Sequence, residues 1–288
     1  MIDSNVKNIF FIWESGAMSF LRVMTLISFR KHHQDWKINL IINNKVKKYD
    51  SWLTTETQDF ENSSIEDNFN LCKDLNINFI ELEEEYSKVL EGLEDISPVH
   101  KKDLLNWYLL SINTGVVADM DIIFIDSLEE EYEKFINSPA EFGITCFNNH
   151  PKPNYLPISI MFGRNSTLCE TILEKGKRDY NKDVYECCGA DLFEEDLYER
   201  IIDPFDWRYF RINEELIYPF TTTIPIFEQA MMAPFIKHEP PYQFSNKTSG
   251  IHWYGGCPIS QHANKILNKD NFKNINSCIT NYIKKIYA

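Results

Sequence analysis

Glycine is scarce in this chain, at 10 of 288 residues, and no G-x-G-x-x-G stands between the first strand candidate and the helix after it. Close approach of a backbone to a pyrophosphate needs that spacing, so a Rossmann-type dinucleotide site is not expected. Cysteine pairing is also missing. The seven cysteines (72, 146, 169, 187, 188, 257 and 278) form no C-x-x-C. An odd, scattered set suggests free thiols in a reducing cytosol and so a cytoplasmic location. The adjacent Cys187-Cys188 pair reads as packing. No apolar run approaches the ~20 residues of a membrane span. The polar start M-I-D-S-N-V-K is not expected to be a signal peptide. Basic surface is lacking too. The net charge is −14, and the one dense basic cluster is Arg30-Lys31-His32-His33. That cluster falls at an expected helix C-terminus, where cations are favoured anyway. A protein that grips nucleic acid through its phosphates carries a basic face, so this class is disfavoured.

What is present is a globular composition, 43% hydrophobic and 14% aromatic, with no repeat, no low-complexity linker and no composition shift. One domain over 1–288 is expected, with residues 1–126 forming one half and 127–288 the other. Asn8 to Trp13 reads as a first strand. A helix with one apolar stripe follows over about 17–31, then a strand over 36–42, a helix over 64–76 and a strand over 77–82. That order predicts a parallel βαβαβ unit, and such units bind ligands beyond the carboxyl ends of their strands. Ser97-Pro98 is a strong helix start, with Ser as N-cap and Pro in the first helical position. Its helix carries Asp103 near the positive end, and Gly115 is expected to close it. Helices are expected over 128–136, 167–179 and 189–201, strands over 142–147 and 156–163, and an extended segment over 212–218. The acidic clusters 83–85, 129–131 and 194–196 read as solvated faces.

The chemistry concentrates at G-V-V-A-D-M-D-I-I-F-I, residues 115–125. Two carboxylates, Asp119 and Asp121, interrupt an apolar run at the end of a central strand. Buried there, they must be paired, protonated or bound to a cation. Oxygen ligands on one short loop suit Mg²⁺ or Mn²⁺, and such an ion binds a diphosphate. A late Gly-rich loop, G-I-H-W-Y-G-G at 250–256, adds His252, Trp253 and Tyr254.

A first strand ending in Trp13, a helix carrying Asp103, then Gly115, Asp119-x-Asp121 and a His252 loop: this order resembles the D-x-D sugar-binding glycosyltransferases. It is similar to the glucosyltransferase domain of the large clostridial toxins. The family core reads S-D-x-x-R, then about eight residues, then G-G-x-Y-x-D-x-D. This chain has Lys102-Asp103-Leu104-Leu105-Asn106, then Thr114-Gly115-Val116-Val117-Ala118-Asp119-Met120-Asp121. I-Y-P-F at 217–220 resembles a late family element, and 250–256 resembles the family's C-terminal H-x-x-G loop. The family Arg is Asn106 here, the first Gly of the pair is Thr114, and the Tyr is Val117. The Arg normally touches the donor sugar and diphosphate, so Asn106 leaves the donor's identity open.

The resemblance implies a GT-A fold, a Rossmann-like, mostly parallel central sheet flanked by helices. It implies a metal-dependent transferase moving a sugar from a nucleotide-sugar, a UDP-sugar above all, to an acceptor hydroxyl with retention. The acceptor would be a glycan, protein or small molecule, with hydroxylated DNA bases a less favoured variant. Implied metal ligands are Asp119, Asp121 and His252 around Mn²⁺ or Mg²⁺. Implied donor contacts are Trp13 stacked on uracil, Asp103, Asn106, Asp119 and Trp253. Asp103, Asp119 and Asp121 form the catalytic set. Trp253 and Tyr254 would close as a lid hinged at Gly255-Gly256. The stretch Gly189-Ala190-Asp191 reads as an acceptor-pocket wall or, more simply, as a helix start. Two rivals remain: a phosphoesterase using Asp119 and Asp121, and a donor-binding protein without turnover.

Overall fold

A computed structural model describes residues 7–14, 17–42, 66–82, 86–93, 96–146, 155–193, 195–203, 205–218, 235, 243–256 and 258–287. The chain opens with β1 (Asn8–Trp13), α1 (Phe20–His32), β2 (Lys37–Ile42) and β3 (Ile77–Glu81). It continues with α2 (Pro98–Ile112), β4 (Thr114–Ala118), β5 (Ile122–Phe124), α3 (Glu129–Asn137), β6 (Phe142–Thr145), β7 (Ile160–Arg164) and α4 (Thr167–Arg178). Last come α5 (Glu195–Ile202), β8 (Tyr209–Ile212), β9 (Ile217–Tyr218), β10 (Gly250–His252), α6 (Pro258–Ile266) and α7 (Cys278–Tyr287).

Seven strands form one sheet in the order β3-β2-β1-β4-β7-β6-β8. All pairings are parallel except those of β7, which runs against both β4 and β6. The mostly parallel sheet expected from the sequence is therefore the one found. A second sheet has the order β5-β10-β9. Both faces of its central strands β1, β2 and β4 are buried, which explains why those strands read as continuous apolar runs. Ile9, Phe11, Leu40 and Val116 point into a core shared with Val23, Leu26 and Phe29 of α1 and Tyr132 and Phe135 of α3. Phe10, Ile12, Ile41 and Val117 point the other way, onto Leu104, Leu105 and Trp107 of α2 and Ile172 of α4.

Helix starts follow the local chemistry. Ser19, Ser97 and Ser166 each accept a backbone N–H of the first turn of α1, α2 and α4. Amides also link three parallel strands. Asn78 Nδ2 donates to Asn39 Oδ1 at 2.9 Å, and Asn39 Nδ2 donates to the Ile9 carbonyl at 3.3 Å and to Asn8 Oδ1 at 3.4 Å.

Several expectations are corrected. In place of a helix over 64–76, the described part of that stretch has a short 3₁₀ turn at Phe69–Cys72. The strand expected over 156–163 pairs only from Ile160. The stretch 212–218 divides between β8 and β9, in different sheets. Gly115 does not close α2. It lies within β4, where a Cβ would come 2.7 Å from the Asn8 carbonyl oxygen, so only glycine allows β1 and β4 this close. Glu129 and Glu131 are not merely solvated: Glu129 accepts from Trp36 Nε1 at 3.1 Å, and buried Glu131 accepts from the Asn213 N–H at 2.7 Å. Residues 83–85, Glu194 and Pro219-Phe220, also singled out in the sequence, lie outside the described residues.

Candidate active site

The D-x-D loop is the joint between the two sheets. β4 ends at Ala118 in the large sheet, and β5 begins at Ile122 in the small one. The intervening backbone is pinned on three sides. Asp119 N–H donates to the Ser159 carbonyl at 2.9 Å, Thr25 Oγ1 of α1 donates to the Met120 carbonyl at 2.9 Å, and Trp253 N–H donates to the Asp121 carbonyl at 2.9 Å. Antiparallel β5–β10 pairing sets His252 opposite Ile122. Residues more than 130 positions apart in sequence thus meet at one point.

Asp119, Asp121 and His252 each offer a ligand atom within 4.8 Å of the others. Two carboxylate oxygens and one imidazole nitrogen fit a hard divalent cation such as Mn²⁺ or Mg²⁺. The wiring around them is unequal. Asp121 Oδ2 accepts the Gly255 N–H at 2.7 Å, and Oδ1 lies 3.1 Å from His252 Nε2. Arg22 Nη1 of α1 stands 3.5 Å from Asp121 Oδ2. Burial alone would raise the Asp121 pKa, but His252, Arg22 and the Gly255 N–H hold it well below the usual carboxylate range. Asp119 is displaced upward: burial penalises its charge more than Lys102 relieves it, and Asp121 adds repulsion. Lys102 Nζ lies 2.5 Å from Asp119 Oδ1 and 3.7 Å from Asp103 Oδ1.

Asp103 enters from α2 and is buried. Burial pushes its pKa up to about 7; Lys102 opposes this and Glu186 adds to it. A Cβ at Gly189 would lie 3.1 Å from Asp103 Oδ2 and 3.0 Å from Glu186 Oε2, so glycine leaves room for both carboxylates. The stretch Gly189-Ala190-Asp191 leads into a 3₁₀ turn, Ala190–Leu192, and does not open a long helix. Asn106, one turn beyond Asp103, is buried, and its Nδ2 has no hydrogen-bond partner among the described residues. Trp13, at the end of β1, is half-buried, with the Arg22 guanidinium 5.6 Å from its ring centroid.

The lid expectation for Trp253 is corrected. Its ring is fully buried among Phe20, Leu21, Met24 and Ile123, with Arg22 over it at 4.7 Å. An indole in that position is a floor beneath the site and does not cover it. Tyr254 is half-buried and stacks on His252 with ring centroids 3.9 Å apart. Gly255 gives the guanidinium space, since a Cβ there would stand 2.0 Å from Arg22 Nη2. Sequence reasoning did not single out Lys102, Arg22 or Glu186. Lys102 carried one readable signal, its place beside Asp103. The other two reach the site only through tertiary packing.

A helix-flanked, mostly parallel sheet with paired carboxylates where its central strand ends defines an α/β protein of the GT-A type. The sequence matches no family model and no curated protein. Among solved structures, the chain is similar to one described as the PaToxG glycosyltransferase, with TM-score 0.50 and 19% identity over 68% of this chain and 70% of that one. It is also similar to the glycosyltransferase GlyE of Streptococcus pneumoniae TIGR4, with TM-score 0.50 and 13% identity over 99% of this chain. That match spans 61% of the GlyE structure's length. These likenesses establish a shared fold. No helix among the described residues is long and apolar enough to cross a membrane.

Proposed function

We propose that the protein is a metal-dependent glycosyltransferase that moves a sugar from a UDP-sugar to an acceptor hydroxyl with retention of configuration. The observation that carries this reading is the convergence of Asp119, Asp121 and His252 within 4.8 Å in a GT-A fold. Those three residues would hold Mn²⁺ or Mg²⁺. When bound, such an ion supplies positive charge against the charge that develops on a departing diphosphate. Asp103, oriented by α2, accepts hydrogen bonds from donor-sugar hydroxyls, while Asn106 offers them a donor. Trp13 presents a ring for the uracil, a contact worth about 1–3 kcal/mol by analogy with base–aromatic stacking. Gly189 and Glu186 line the side of Asp103 away from Lys102 and mark the acceptor side. The acceptor is a glycan, protein or small molecule. Hydroxylated DNA bases are disfavoured by the net charge of −14. Six cysteines are free among the described residues, in keeping with a reducing, cytoplasmic setting.

A two-metal phosphoesterase needs more converging ligands than the three found together among the described residues. The test is release of UDP from a panel of UDP-sugars, with Mn²⁺ and then EDTA, by wild type and by Asp121→Ala. Slow metal-dependent hydrolysis of one donor, lost in the variant, supports the reading and names the sugar. Silence across the panel, with no stabilisation by UDP, overturns the uridine-donor assignment.

A further inference from the structure

Lys102 already holds one oxygen of Asp119, while the other, Oδ2, faces His252 Nε2 at 3.8 Å. Its ammonium lies 2.5 Å from Asp119 Oδ1, closer than any other cation contact of that carboxylate. A divalent ion binds carboxylate oxygens at about 2.0–2.2 Å. Ion and ammonium would then share one carboxylate at a separation of a few ångströms, where like charges in a partly buried site repel strongly. That repulsion favours the departure of one of the two.

The surroundings decide which resident cation moves. Arg22 is held in place: its guanidinium lies over both Trp253 and Trp13 and fills the space left by the missing Gly255 side chain. Lys102 has an unbranched four-carbon stem, and its side chain is 26% exposed, against 14% for Arg22. Its other contact is the looser one, 3.7 Å to Asp103 Oδ1. The ammonium is therefore free to swing while α2 stays fixed. An incoming diphosphate would bring the nearest new negative charge.

We propose that Lys102 is an exchangeable counter-ion: it neutralises Asp119 in the metal-free protein, yields that carboxylate to the metal, and then bonds the diphosphate of the donor. No covalent step is involved. The proposal rests on the reading of Asp119, Asp121 and His252 as a metal site, and it makes Lys102 a donor-binding residue that couples the two ligands. Metal binding without donor is resisted by Lys102, and donor binding with metal is aided by it.

The test is Mn²⁺ titration of the full chain by electron paramagnetic resonance, without donor, for wild type, Lys102→Met, Lys102→Arg and Asp121→Ala. UDP affinity at saturating Mn²⁺ is then measured by calorimetry. Lys102→Met is expected to bind Mn²⁺ about tenfold tighter than wild type, equivalent to about 1.4 kcal/mol, and UDP about tenfold more weakly. Lys102→Arg should stay within about twofold of wild type on both, which is roughly a third of a tenfold step. Lys102→Gln is carried in parallel, because a neutral amide still satisfies Asp119 should the methionine variant fail to fold. Unchanged or weaker Mn²⁺ binding in both neutral variants overturns the proposal, as does unchanged UDP affinity. If Asp121→Ala loses Mn²⁺ while the Lys102 variants match wild type, the metal site stands and the counter-ion role falls. If wild type and Asp121→Ala bind Mn²⁺ equally poorly, both fall.

Discussion

His252 Nε2 and Asp121 Oδ1 stand 3.1 Å apart, brought together by the antiparallel pairing of β10 with β5. The contact links the middle of the chain to its C-terminal part and gives the cluster its nitrogen. Asp121→Ala removes a carboxylate that also meets Arg22 and the Gly255 N–H. Mn²⁺ affinity is expected to fall by at least about a hundredfold, beyond the range usual for outer-shell partners. A paramagnetic titration checks this. His252→Gln keeps both carboxylates, so a smaller loss, about tenfold, is expected by the same measurement.

Trp253 provides a second prediction, because core and lid residues fail differently. Trp253→Ala empties a fully buried site and is expected to cost about 3–5 kcal/mol of stability, read by urea unfolding. A lid residue would instead leave stability unchanged and raise the donor KM.

Acid sensitivity should centre on His33. This imidazole is buried at the end of α1, where its Nε2 accepts the Leu128 N–H at 2.8 Å and its Nδ1 donates to the Phe29 carbonyl at 3.0 Å. Burial depresses its pKa to about 4, from an ordinary value of 6.5. The folded state therefore prefers the neutral ring. The unfolded chain takes up a proton first, so stability is lost as pH falls from 6.5 towards 4 and then levels off. Denaturation at a series of pH values should show on the order of 3 kcal/mol more loss in wild type than in His33→Gln.

Two glycines should resist a methyl group for different reasons. A Cβ at Gly163 would stand 2.7 Å from Leu110 Cβ, a position that α2 fixes. Gly163→Ala is expected to lose about 1–3 kcal/mol by overpacking, measured by thermal or urea unfolding. At Gly255 the obstacle is the guanidinium of Arg22, held over Trp253 and Trp13 beside Asp121. Gly255→Ala is expected to cost about 1–3 kcal/mol by displacing the guanidinium from Asp121, and to weaken UDP protection, read by a melting shift with UDP and Mn²⁺.

The central strands were readable because their runs are apolar on both faces: N-I-F-F-I-W and K-I-N-L-I-I can hardly be anything else. Ser97-Pro98 announced α2 through cap chemistry alone. Asp119 and Asp121 were visible as acids in an apolar run. What the run did not reveal is that the residues after Asp121 leave one sheet for another. Val116 and Ile122 look alike in sequence, and only pairing with β10 separates them. Trp253 misled for the same reason, since an aromatic beside glycines reads as a mobile loop until Phe20 and Ile123 are packed around it. Arg22 and Glu186 carry ordinary charges on ordinary turns. Their meaning comes from the distances to Asp121 and Gly189, which no local pattern encodes.

The amide ladder from Asn78 through Asn39 to Asn8 acts as a ratchet on strand alignment. A parallel ladder of apolar residues tolerates sliding by two positions, because each side chain finds another apolar neighbour on the same face. Asn39 is fully buried, and such a slide would strand its amide away from the Ile9 carbonyl, Asn8 and Asn78. One polar residue thus sets the axial offset of three strands, and with it the height at which Trp13 emerges beside Arg22.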